Sequence, residues 1–181
     1  MTIADITLDP MGEEEFATWL EPFVRRHARN HINAGTWSEK DALQFAATEF
    51  RMMLPQGLQS DQQHLFTVRE SAGGEGVGML WIALKMRGGK LDAFVYNLEI
   101  DEQHRGRGYG RAAMVAGAQR ARELGAKSMS LHVFGSNAPA RALYDSLGFV
   151  EINVNMSLSL EDGEGGVGGA GDGLGGEGGG A

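Results

Sequence analysis

The chain has 181 residues, with 16 Lys and Arg against 24 Asp and Glu and a formal net charge of −8. It has no cysteine, which excludes a disulfide scaffold, a thiolate nucleophile and a Cys-ligated zinc site. Its charge offers no clustered basic patch for nucleic acid, and no apolar run approaches the ~18 residues of a membrane span, so neither is an expected partner.

The first residues, Met1 to Asp5, lack the basic and apolar regions of a secretion signal. A soluble, cytoplasmic protein is expected. Residues 3–8 predict a short strand ended by Asp9-Pro10. From Gly12 the pattern turns helical, with Phe16, Leu20, Phe23, His27 and His31 recurring every three to four residues. His27 and His31 have a metal-compatible i,i+4 spacing. Ala28, however, stands where the zincin pattern needs Glu, so the pair reads as a helix face. No metal is expected. Ser38, with Asp41 three residues on, predicts the start of a second helix that runs through Leu43, Ala46, Phe50 and Met53 to Pro55.

Three turn-separated runs follow, over 64–70, 77–85 and 91–100. They predict an antiparallel meander. A helix is predicted over 109–124 and stopped by Gly125, then a strand over 128–134 and a short helix over 137–147 with Pro139 in its first turn. Residues 149–160 read as one or two further strands. The order predicts an α+β fold: a single mixed, mostly antiparallel sheet flanked by helices. Residues 161–181 contain twelve of the 28 glycines, five acids and no base. Such a segment buries too little apolar surface to offset its ordering entropy, and disorder is expected. The expected organisation is therefore a domain over 1–160, with a net charge near −3, and a glycine-rich acidic tail.

The chemistry concentrates in Asn97-Leu98-Glu99-Ile100-Asp101-Glu102-Gln103-His104-Arg105-Gly106-Arg107-Gly108-Tyr109-Gly110-Arg111. A strand ends, a loop carries three glycines and two arginines, and a helix begins. Glycines let the backbone turn tightly and approach a ligand. The free N–H groups of the helix start make an anion site suited to a pyrophosphate. A P-loop would require Lys-Ser/Thr after the last glycine, and Arg111-Ala112 stands there. The dinucleotide fingerprint would require a third glycine at Arg111. His104, beside the loop, is expected to be solvated.

Arg105-Gly106-Arg107-Gly108-Tyr109-Gly110 instead resembles the coenzyme A loop, Q/R-x-x-G-x-G/A, of the GCN5-related N-acetyltransferases. Asn137-Ala138-Pro139-Ala140-Arg141-Ala142-Leu143-Tyr144-Asp145-Ser146-Leu147-Gly148-Phe149 resembles that family's second motif, N-x-x-A-x-x-L-Y-x-x-x-G-F, one helix and one strand later. The resemblance covers residues 65–156; the first two helices match the architecture without a motif, and the tail matches nothing. It implies transfer of acetyl from acetyl-CoA, as cosubstrate and without a metal, directly to a primary amine in a ternary complex. The acceptor would be a small molecule or a peptide. A homodimer is compatible with the family. The rival reading keeps the fold without the catalysis, as an acyl-CoA-binding regulatory module.

The resemblance also assigns roles. Backbone groups of Leu98 and Ile100 would pair with the pantetheine arm, and the Leu98 N–H would face the acetyl oxygen as it gains charge. Arg105, Gly106, Arg107, Gly108, Tyr109, Gly110 and Arg111 would cradle the pyrophosphate, mostly through backbone N–H groups. Asn137 would contact the cofactor arm and also suits a helix N-cap. Tyr144 would protonate the departing thiolate, a task for a phenol that stays protonated at neutral pH. His132 and Glu99 are the candidate bases for the acceptor ammonium, with a water chain as the third option.

Overall fold

The computed structural model describes residues 4–156 and residue 158. Within them a five-stranded sheet runs in the order β1 (Ile6–Pro10), β2 (Gln63–Glu70), β3 (Gly76–Arg87), β4 (Lys90–Ile100) and β5 (Ser128–Leu131). Neighbours pair antiparallel from β1 to β4, and β5 joins β4 in parallel. Four α-helices flank the sheet: α1 (Glu13–Asn33), α2 (Ala42–Met53), α3 (Tyr109–Glu123) and α4 (Ala138–Ser146). A parallel pair needs a crossover, and α3 supplies it. The fold is α+β, as the element pattern predicts.

Alternation along the strands builds two cores. Leu80, Ile82, Val95, Leu98 and Ile100 pack with Tyr109, Ala113 and Met114 of α3, and Tyr144 and Phe149 close over them. Met79 and Trp81 point the other way and pack with Phe23 of α1 and Phe50 of α2. The sheet therefore separates an α3/α4 side from an α1/α2 side. On α1 the inward stripe is Trp19, Phe23 and His27, stacked in sequence; Leu20 lies off it, in a groove between α1 and α2. Ser38 does not cap α2, whose N-cap is Asp41; it forms a reciprocal turn just ahead of the helix. Ser38 Oγ donates to Asp41 Oδ2 (2.8 Å), and the Asp41 N–H returns to Ser38 Oγ (3.2 Å).

Three further expectations are corrected. Asp9 and Pro10 do not end β1; they pair with Thr67 and Phe66. β1 is an edge strand, and an edge tolerates a residue that lacks an N–H. β5 stops at Leu131 rather than at residue 134. Residues 149–156 form no strand, although Val150, Ile152, Val154 and Met156 alternate as a strand would. All four are well exposed. Period-two patterning fixes which way side chains would face, but a strand also needs a partner to pair with, and this segment pairs with none of the described strands. The tail expected over 161–181 lies outside the described residues.

One glycine sets how closely β3 approaches β4. A Cβ on Gly78 would stand 2.1 Å from the Glu99 carbonyl oxygen and 2.9 Å from Ile100 Cδ1. Gly78→Ala is therefore expected to push the two strands apart, destabilising by about 1–3 kcal/mol and lowering the melting temperature by roughly 4–10 °C. Thermal unfolding checks this; an unchanged melting temperature would mean that the strands yield freely there.

Candidate active site

β4 and β5 pair only from Asp92↔Ser128 to Val95↔Leu131. A clamp on the buried Asp92 holds that short ladder: Ser128 Oγ and Ser130 Oγ donate to its two carboxylate oxygens, at 2.6 and 2.5 Å. Immediately afterwards the register of β3 with β4 skips Tyr96, because Ile82 faces Val95 and Trp81 faces Asn97. Such a bulge bends the strand that carries it. From there β4 continues to Ile100 while β5 has ended, and the β5-side edge of β4 is left open.

The backbone polarity of that edge follows from one bond. The Asp101 N–H donates to the Val77 carbonyl (3.0 Å). Antiparallel partners alternate between bonded and non-bonded pairs. Glu99↔Met79 is then a bonded pair, while Leu98↔Leu80 and Ile100↔Gly78 are not. The N–H groups of Leu98 and Ile100 consequently point away from β3, along the open edge. Arg105 Nε donates to the Ile100 carbonyl (3.0 Å), which fixes the loop against the strand end.

Gly106 and Gly108 have φ of +74° and +87°, the left-handed region that other residues avoid. Gly108 is the N-cap of α3, and the first helical bond runs from the Ala112 N–H to the Gly108 carbonyl (3.0 Å). The N–H groups of Tyr109, Gly110 and Arg111 precede it and have no helical acceptor. A Cβ at Gly106 would meet nothing within 4 Å, so the turn stands in open space. Any pyrophosphate held here would rest on backbone N–H groups, because several side chains are engaged elsewhere. Tyr109 is buried and donates its hydroxyl to Glu70 Oε1 (2.5 Å), and that bond pushes its phenol above the ordinary value. Arg111 Nη2 donates to Ser146 Oγ and ties α3 to α4. Arg107 is exposed. His104 is buried rather than solvated: its ring stands edge-on to Tyr109, with Nε2 3.7 Å from Glu75 Oε1.

Asn137 caps α4, accepting the Ala140 N–H on Oδ1 (3.2 Å). Tyr144, two turns along, is half-buried against the α3/α4-side core with its ring 5.6 Å from Phe149. Burial pushes its phenol above the ordinary value. Glu99 points to the opposite side of the sheet, where Arg26 of α1 donates from Nη2 to Glu99 Oε2 (2.5 Å). His132 is exposed just past β5, its ring 5.5 Å from Phe134. Met129 and Leu131 face the α3/α4 core, so alternation turns His132 toward α1. The field of His132 reaches His31 there. Burial first, then His27, hold His31 below the usual histidine value; Glu49 pulls the other way, and His132 adds the smallest lowering effect. Arg26 is the site residue that the sequence reading missed. Its signal was its place three residues after Phe23, on the inward stripe of α1.

An apolar groove of about 480 Å³ between α1 and α2 holds none of these residues. Among the described residues, no group of three or more His, Asp or Glu is placed to hold a metal ion. No helix among them is long and apolar enough to cross a membrane.

A sheet opened between β4 and β5, beside a glycine turn and a helix N-terminus, is the architecture of an acyl-transferring domain. The chain belongs to the acetyltransferase (GNAT) family, whose sequence profile matches residues 17–149. It is 37% identical to the uncharacterized N-acetyltransferase YycN of Bacillus subtilis, over 86% of this chain and 99% of YycN. The crystal structure of YycN superposes with a TM-score of 0.81, covering 87% of this chain and 99% of that one. A second Bacillus subtilis relative, the uncharacterized N-acetyltransferase YdgE, is 34% identical over 85% of this chain and 98% of its own. A mycothiol acetyltransferase of Saccharomonospora viridis is 33% identical over 99 residues, which is 52% of this chain and 32% of that protein.

Proposed function

We propose that this protein transfers acetyl from acetyl-CoA directly to a primary amine within a ternary complex. The observation that carries the reading is the open β4 edge. It presents the Leu98 and Ile100 N–H groups and leads straight into the glycine turn and the start of α3. The pantetheine arm lies along that edge, and its pyrophosphate sits on the backbone N–H groups of residues 105–111. The Leu98 N–H donates to the acetyl oxygen as it gains negative charge. Asn137 supports the arm from the head of α4.

The acid and base candidates stand on opposite sides of the sheet. On the α1 side, His132 or Glu99 takes a proton from the acceptor ammonium. The freed nitrogen lone pair attacks the acetyl carbon. On the α3/α4 side, Tyr144 gives its proton to the sulfur as the C–S bond breaks. As the C–S bond breaks the nitrogen sheds its second proton, which returns to the phenol through solvent, while the proton taken by the base is released to solvent; the products are the N-acetyl amide, CoA and one proton. Glu99 is less free than His132 to act as the base, because Arg26 already holds one of its oxygens.

Thiol release from acetyl-CoA in the presence of a panel of primary amines, with the amide identified by mass, tests the reading. CoA binding without thiol release for any amine would favour the regulatory module. The base is tested separately. A base must be unprotonated to act, so the rate for a high-pKa amine should rise with pH through its ionisation. His132→Ala or Glu99→Gln, whichever removes the base, should flatten that rise and cut the rate by about 10²-fold or more. Wild-type rate and pH profile in both variants would leave proton removal to a water chain.

A further inference from the structure

Resting on the transfer reading above, we propose that the acceptor is a compact zwitterion, an α-amino acid or similar amino-carboxylate. Its carboxylate docks on Arg26 and its ammonium is received by Glu99. The Arg26–Glu99 pair joins residues 73 positions apart, across the gap between α1 and β4. Glu99 is the chain neighbour of Leu98, on the stretch of β4 beyond its pairing with β5. The side chains of Arg26 and Glu99 are 37% and 24% exposed, so a ligand can reach both charges.

The chemistry of the pair selects its guest. A guanidinium carries five N–H donors in a planar fork that matches a carboxylate in two-point fashion, and Glu99 holds Arg26 through Nη2 alone. Glu99 in turn has a second oxygen. Opposite charges held in contact are complementary to a molecule whose own opposite charges are a bond or two apart. An α-amino acid can lie head to tail against the pair, giving each protein charge a partner and bringing its nitrogen beside Leu98. The ring of Phe23, with its centroid 5.4 Å from Arg26 Cζ, supports the guanidinium. A polyamine or an aminoglycoside meets the reverse situation. Arg26 repels a second cation and already neutralises the carboxylate that would attract one.

The test compares α-amino acids with their decarboxylated amines as acceptors, for example L-phenylalanine with 2-phenylethylamine, with kcat/KM corrected for the free-amine fraction. Wild type is expected to favour the amino acid by at least about tenfold. Arg26→Met should erase that preference by lowering kcat/KM for the amino acid alone, with CoA affinity kept. Equal or better use of the decarboxylated amine by wild type overturns the inference, whatever the variant does. Equal losses for both acceptors in Arg26→Met overturn it too, and make Arg26 a brace for Glu99. Thiol release confined to amines without a carboxylate sinks this inference and leaves the transfer reading standing. Failure to bind CoA at all sinks the transfer reading itself.

Discussion

Tyr144→Phe is expected to lower turnover by about 10²–10⁴-fold, the usual range for a general acid, with CoA affinity nearly unchanged. The substitution removes one oxygen and keeps the ring against Phe149 and the α3/α4-side core. Burial raises the phenol above its ordinary value, and the donor form exists below that value. The acid therefore stays protonated at neutral pH and somewhat beyond the range of a free phenol. In the wild type, the alkaline fall of kcat should lie above the ~10 of a free phenol. The loss should shrink with an acyl donor whose leaving group needs less protonation. Wild-type turnover in Tyr144→Phe, with chemistry rate-limiting, would reduce Tyr144 to a packing residue. Parallel loss of CoA binding and turnover would mean that the hydroxyl holds the cofactor.

Gly108→Glu is expected to weaken CoA binding by at least about 10²-fold, because juxtaposed like charges cost several kcal/mol. The variant puts a carboxylate at the N-cap of α3, where a pyrophosphate would lie. It also places a side chain at φ +87°, which adds backbone strain of about 1–2 kcal/mol. Gly108→Asn separates the two effects, since Asn tolerates the left-handed region and carries no charge. Calorimetry should show near-normal affinity for Asn and little binding for Glu. Equal affinity in wild type and Gly108→Glu would remove the loop from the cofactor site.

Much of this site was legible in the sequence because its frame is built from backbone. Glycine spacing, a strand end and a helix start are local features, and the turn at Gly106 and Gly108 follows from them. The N-cap role of Asn137 is equally local. What the sequence withheld depends on contacts across the fold. The Arg26–Glu99 pair spans 73 positions, and no local pattern links a helix residue to a strand residue so distant. The burial of His104 follows from its place beside Tyr109, which no spacing announces. Residues 149–156 fail as a strand for the complementary reason: alternation is written in the chain, whereas a pairing edge belongs to another segment.

The two-sided sheet bears on the order of events in a catalytic cycle. In the proposed function, CoA would be contacted by the loop, α3 and α4 and the acceptor would approach from α1, so the two reactants would use separate doorways. Neither has to wait for the other to bind or depart. Such a layout favours random kinetic order, with dead-end complexes of CoA and unreacted amine forming freely. Inhibition at high amine concentration would then report slow departure of CoA rather than a blocked entrance.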